Sequence, residues 1–144
     1  MTPRIIYLIK RAEIEITSRM GKALDVYGVT TVQFTLLYFI DTAKGDLSSA
    51  QLSRRFSMTP QSMNELVQVL QLKKLLKKSA DPAHRRILRI SLTPKGKQLL
   101  YDCNNALDTM EETLLKDLTD VDKNTLRSLI GKILDTSKKE LNQK

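Results

Sequence analysis

The chain has 144 residues, 41% of them hydrophobic, which suits one domain with a real core and argues against disorder throughout. Its 24 Lys+Arg against 16 Asp+Glu leave a net charge of +8, which favours a polyanionic partner, nucleic acid or an acidic membrane surface, without choosing between them. One cysteine excludes an internal disulfide and one histidine excludes a zinc-ligand cluster, so no metal or cofactor site is expected and a reducing compartment fits best.

The first predicted helix covers residues 4–24, with Ile5, Ile9, Ala12, Ile16, Met20 and Leu24 on one face. Lys10, Arg11 and Glu13 interrupt its apolar run well short of a signal-peptide core or a membrane span, so a soluble, cytoplasmic protein is expected, with no membrane partner. Gly28 ends it, and Thr30 with Gln33 forms a capping box for a second helix to about Ala43. Val32, Phe34, Leu36, Leu37, Phe39 and Ile40 cover most of that helix, which places it in the centre of the fold.

After the turn Lys44-Gly45-Asp46, Ser48 and Gln51 box a short helix through Phe56. Thr59-Pro60 then opens a helix to about Lys73 that turns Met63, Leu66, Val67 and Leu70 inward. Helix, turn of three, helix is the spacing of a helix-turn-helix. From Arg86 to Leu92 the sequence alternates, with Leu88, Ile90 and Leu92 on one face, and Leu75 to Ser79 is a plausible partner strand. Ala80-Asp81-Pro82-Ala83-His84 becomes the tip of a hairpin, a wing. Thr93-Pro94 starts a long helix striped by Leu99, Cys103, Ala106, Met110 and Leu114, and Thr119 with Asp122 boxes the last, whose face is Leu126, Leu129, Ile130, Ile133 and Leu134. The expected fold is mainly α with a small β-hairpin wing.

In this order the parts resemble the MarR family of winged helix-turn-helix regulators, over nearly the whole chain. Val29-Thr30-Thr31-Val32-Gln33-Phe34-Thr35-Leu36-Leu37 is similar to the family's hydrophobic-Thr-x-x-Gln-x-x-hydrophobic-Leu opening of the second helix. Leu52-Ser53 is similar to its Leu-Ala, and Leu92-Thr93-Pro94-Lys95-Gly96 to its Leu-Thr-x-x-Gly after the wing. The wing tip, Asp81-Pro82-Ala83-His84-Arg85-Arg86, resembles Asp-Pro-x-Asp-Arg-Arg but has His84 where the second aspartate orients the arginine two positions on, leaving Asp81 as the substitute clamp. Lys74 stands where glycine is common, which points to a turn built differently. Glu65 stands where a basic residue is frequent, and it would repel phosphate or accept from cytosine.

The resemblance implies one MarR-like domain over 1–144. Its winged helix-turn-helix lobe is 30–92, and its dimerisation helices are 4–24 and 94–142. They pair across a two-fold axis through Ile5, Ile9, Ile16, Leu126, Ile130 and Ile133. It also implies a pocket for a small aromatic or lipophilic effector, with no lining residues identified. In the recognition helix Thr59, Gln61, Ser62, Asn64, Glu65 and Gln68 are the major-groove candidates, their alternative being solvated positions of a surface helix. The N-terminus near Thr59 suits a phosphate. His84, Arg85 and Arg86 are the wing candidates, for a narrow minor groove or phosphate, against a solubilising charge run or, for His84, a plain loop position. Arg54, Arg55, Lys77 and Lys78 fit phosphate contacts and ordinary surface charge equally. Cys103 is a small core hydrophobe or a redox sensor, and its apolar stripe favours the first.

The expected function is sequence-specific binding of double-stranded DNA by a homodimeric transcriptional regulator, a repressor released by a small effector. The alternative is a protein-interaction or architectural module that does not read sequence. An enzyme is the poorest fit, for want of a phosphate loop, a metal set or a placed nucleophile.

Overall fold

The computed structural model describes residues 1–44 and 47–142. Its elements are α1 (Ile5–Asp25), α2 (Thr31–Thr42), β1 (Leu47–Ser48), α3 (Ser49–Arg55), α4 (Pro60–Leu72), β2 (Leu76–Ala80), β3 (Leu88–Leu92), α5 (Pro94–Leu114) and α6 (Asp120–Leu141). Of the expected Lys44-Gly45-Asp46 turn, Gly45 and Asp46 lie outside the described residues. The chain forms two compact units, Met1–Asp108 and the residues from Thr109 onward.

The helix starts follow from local hydrogen bonds. Thr30, Ser48 and Thr119 each accept from the backbone N–H three residues on, while Gln33, Gln51 and Asp122 return the bond to the cap residue's own N–H. Each box satisfies two of the donors a helix start leaves open. Thr59 caps α4 in the same way, with Pro60 at the first position, and Thr93 accepts from Gly96 N at 3.0 Å at the head of α5.

The core of the first unit gathers Leu24, Leu36, Leu37, Ile40, Leu52, Met63, Val67, Leu70, Ile90 and Cys103, all fully buried. α2 lies centrally, but Val32 is 50% exposed, because Phe34, Leu36, Leu37 and Ile40 take the covered faces. Leu66 and Leu99 are half-buried and pack against this core, and Leu100 is the leucine of α5 that is fully covered.

The sheet has the order β1-β3-β2, both pairs antiparallel. β3 sits in the middle, with Leu47 opposite Ile90 and Leu76 opposite Leu92. The two-residue β1 is too short to show a pattern in sequence. β3 starts at Leu88 rather than Arg86, since 82–87 form the hairpin tip. Leu92 and Ile90 are buried but Leu88 is 48% exposed, so burial fades as the ribbon runs towards its tip.

Lys74 corrects one expectation. Its φ is +60°, the left-handed conformation glycine favours, so the turn after α4 has the glycine-type geometry without the glycine. Lys74 N donates to Gln71 O at 2.8 Å and Leu75 N to Leu70 O at 2.9 Å, a Schellman ending. Ser57, with φ +50°, closes α3 identically through Ser57 N to Arg54 O and Met58 N to Ser53 O.

Candidate nucleic-acid interface

The Schellman ending at Ser57 and the cap at Thr59 leave two residues, Ser57 and Met58, between the C-cap Phe56 and the N-cap of α4. Burial of Met63, Val67 and Leu70 fixes the rotation of α4 about its axis. The remaining face, Gln61, Ser62, Asn64, Glu65 and Gln68, is thereby exposed, together with Thr59. Spacings of three and four residues put Gln61, Asn64, Glu65 and Gln68 side by side.

Two contacts orient that face. Ser49 Oγ, at the first residue of α3, donates to Asn64 Oδ1 at 2.5 Å, and Gln61 Nε2 donates to Glu65 Oε1 at 3.4 Å. Thr59 Oγ1 accepts from Ser62 N at 3.1 Å and donates to Ser62 Oγ at 2.9 Å, so these two hydroxyls are engaged in the cap. Arg54 and Arg55 close α3 and are exposed; the Arg55 guanidinium lies 5.8 Å from the centre of the Phe39 ring, which meets Phe56 edge-on.

In the wing, Asp81 N donates to Ile87 O and Ile87 N to His84 O, each at 2.9 Å, which folds the tip back on itself. The Asp81 side chain is buried within it. Oδ1 accepts from Ala83 N at 2.9 Å, and Oδ2 accepts from Arg89 Nε at 3.0 Å and Nη2 at 2.8 Å. The Ala83 N–H and then the Arg89 guanidinium hold the Asp81 carboxyl below the usual aspartate range. A depressed value means that the clamp contributes above the unfolded aspartate pKa and is lost as pH falls through the folded one, so it is fully formed at neutral pH.

Asp81 does act as a clamp, then, but on Arg89 of β3 and not on Arg86. His84, Arg85 and Arg86 are exposed at the tip, and Arg85 and Arg86 form no ion pair among the described residues. Lys77 and Lys78 are both exposed on β2, yet adjacent strand residues point to opposite faces of the ribbon, so they do not share one. Two further lysines hold backbone: Lys73 Nζ donates to Gly28 O at 2.9 Å and Lys95 Nζ to Lys73 O at 3.3 Å. Sequence reasoning missed Ser49, Arg89 and these lysine contacts; only Arg89 left a signal, a charge alternating with Leu88, Ile90 and Leu92 on the opposite face of the strand that follows the Asp81 tip.

Beside Lys73 lie two open clefts. One of about 560 Å³ is lined by Tyr27, Val29, Lys73, Leu75, Lys95, Gln98, Leu99 and Asp102 among others, and one of about 630 Å³ by residues including Thr17, Lys22, Asp25, Thr31, Gln33 and Lys73. Cys103 is fully buried, and burial, then the Asp102 charge, push its thiol pKa up. On α1, Ile5, Ile9 and Ile16 are exposed, and so on α6 are Leu126, Leu129, Ile130, Ile133 and Leu134. Among the described residues no group of three His, Cys, Asp or Glu could hold a metal ion, and no helix is long and apolar enough to cross a membrane.

Residues 27–87 match the model of the MarR family. Among curated proteins, the chain is 27% identical over 127 residues to the HTH-type transcriptional repressor Rv2887 of Mycobacterium tuberculosis, covering 88% of this chain and 91% of that one. It is 28% identical over 99 residues to the HTH-type transcriptional regulator MhqR of Bacillus subtilis, 69% of this chain and 68% of that one. Among solved structures, wild-type MarR of E. coli in its apo form superposes with a TM-score of 0.80 at 21% identity, covering 93% and 99% of the two chains. The MepR-DNA complex of S. aureus gives 0.78 at 22%, covering 94% and 99%. These likenesses show the fold, a winged helix-turn-helix with flanking helices.

Proposed function

We propose that the chain, whose residues 27–87 match the model of the MarR family, is a repressor of that family that binds double-stranded DNA sequence-specifically, as a homodimer on a pseudo-palindromic site. A member of this family is a regulator and not an enzyme. The observation that carries the DNA reading is the pairing of two surfaces. A capped helix exposes Gln61, Asn64, Glu65 and Gln68, which can hydrogen-bond base edges, and a clamped wing exposes Arg85 and Arg86 for a neighbouring minor groove or phosphate. The positive net charge supplies the sequence-independent part of the attraction.

Further support comes from similar proteins. Rv2887 is named a transcriptional repressor, and MepR is described in complex with DNA. The proposed homodimer rests on the exposed stripes of α1 and α6, which an unpartnered chain would leave in water. The reading includes release by a small aromatic or lipophilic molecule, for which the clefts beside Lys73 have the volume. A cytoplasmic location follows from the work proposed.

The test is affinity for duplexes from upstream of the chain's own gene against random duplex of equal length and base composition, at fixed salt. The proposal expects at least one upstream duplex to be preferred by about a thousandfold or more. Equal affinity for all duplexes means an architectural module, and no affinity for any means another partner.

A further inference from the structure

We propose that Ser49 is a positioning residue that makes Asn64 a hydrogen-bond donor towards DNA, so that the base Asn64 meets is guanine or thymine rather than adenine. The inference rests on the sequence-specific reading above and names what one position of that site recognises.

Asn64 stands on the exposed face of α4 between Gln61 and Gln68. An asparagine in this setting ordinarily reads adenine with both ends of its amide, the oxygen accepting from N6 and the nitrogen donating to N7. Here the acceptor end already holds one bond, and that bond fixes the direction of the amide. Ser49 Oγ donates to Asn64 Oδ1 at 2.5 Å, which turns the oxygen towards α3 and leaves Nδ2 as the outward group. That group carries two donors and no acceptor. Guanine offers two acceptors, O6 and N7, in the major groove, and thymine offers O4. Adenine can accept one of these donors at N7 but sets its amino donor against the other, and cytosine presents only a donor, so both match an Nδ2 that can only donate less well than guanine does.

The Ser49 hydroxyl is available for this because it has no part in starting its own helix. Ser48 is the N-cap of α3 and exchanges both capping bonds with Gln51. Ser49 is half-buried, and its hydroxyl is the link from α3 to the reading face of α4. Removing it leaves the cap of α3 intact and frees the Asn64 amide to turn.

The experiment selects bound duplexes from a randomised library and sequences them, for the wild type, Ser49→Ala, Ser49→Thr and Asn64→Ala. The wild type is expected to enrich a motif in which one position per half-site favours guanine or thymine over adenine by about tenfold. Asn64→Ala should lose preference at that position, which identifies it. Ser49→Ala should admit adenine there to within about twofold of the preferred base, and Ser49→Thr, which keeps a hydroxyl, should restore the wild-type choice. A hydroxyl that merely tied two helices together would lower affinity evenly and leave the base choice alone. An identical motif from Ser49→Ala, or adenine or cytosine at the Asn64-dependent position in the wild type, overturns the inference and leaves the DNA-binding reading standing. A wild type that enriches no motif overturns the sequence-specific reading itself, and this inference with it.

Discussion

Gly96, the third residue of α5, lies against the backbone of Leu75 at the base of the wing. A methyl group built on it would stand 2.2 Å from Leu75 O, 3.1 Å from that carbonyl's carbon and 3.4 Å from its Cα. The obstacle is backbone and cannot swing aside. The same oxygen accepts from Thr93 N at 3.0 Å, and Thr93 Oγ1 donates to Lys74 O at 2.6 Å, so moving the carbonyl strains a bonded junction. Gly96→Ala therefore needs a backbone shift on the order of 1 Å, at a cost of about 1–3 kcal/mol for overpacking. Weakening the Thr93 bond adds about 1 kcal/mol. The better helix propensity of alanine returns about 0.5–1 kcal/mol. The net loss is about 1–3.5 kcal/mol, read as a lower urea midpoint by far-UV circular dichroism with the slope unchanged. Gly21→Ala is the control: it lies inside α1 with no atom within 4 Å of the added methyl, and should gain about 0.5–1 kcal/mol. A Gly96→Ala chain as stable as the Gly21→Ala chain would refute the reasoning.

Arg86→Ala should weaken binding to operator and random duplex alike, and lower the slope of log affinity against log salt by about one per lost phosphate contact in each subunit; an unchanged slope would mean that the wing arginine touches no phosphate. Ile130→Asp or Ile133→Asp should convert a dimer to monomer in light scattering, since burying an unpaired charge costs about 3 kcal/mol or more; a dimer that survives both would place the interface elsewhere. Lys74→Gly should raise stability by up to about 1 kcal/mol, because glycine relieves the left-handed strain while returning part of the gain as chain entropy; a loss would show that the lysine side chain contributes there. The Cys103 thiol, buried and raised in pKa, should react with iodoacetamide near neutral pH far more slowly in the native chain than in urea. Equal rates would show it to be accessible.

The parts of this fold that were legible in the sequence are those whose cause lies within a few residues. The boxes Thr30/Gln33, Ser48/Gln51 and Thr119/Asp122 and the cap Thr59-Pro60 all form within one helical turn, so residue identity and spacing determine them. The inward face of α4 follows from its period, and with it the outward set Gln61, Asn64, Glu65 and Gln68. What tertiary structure alone decided spans longer separations or competing partners. Ser49 meets Asn64 from 15 residues away, and β1 joins β3 across the whole helix-turn-helix. Asp81 had several arginines within reach, and hairpin register gave it Arg89. The glycine-type turn at Lys74 ran against its side chain's preference, because closing α4 onto β2 required it. Local rules place donors and acceptors along the chain, but which of them meet depends on where packing brings distant segments together, and no spacing records that.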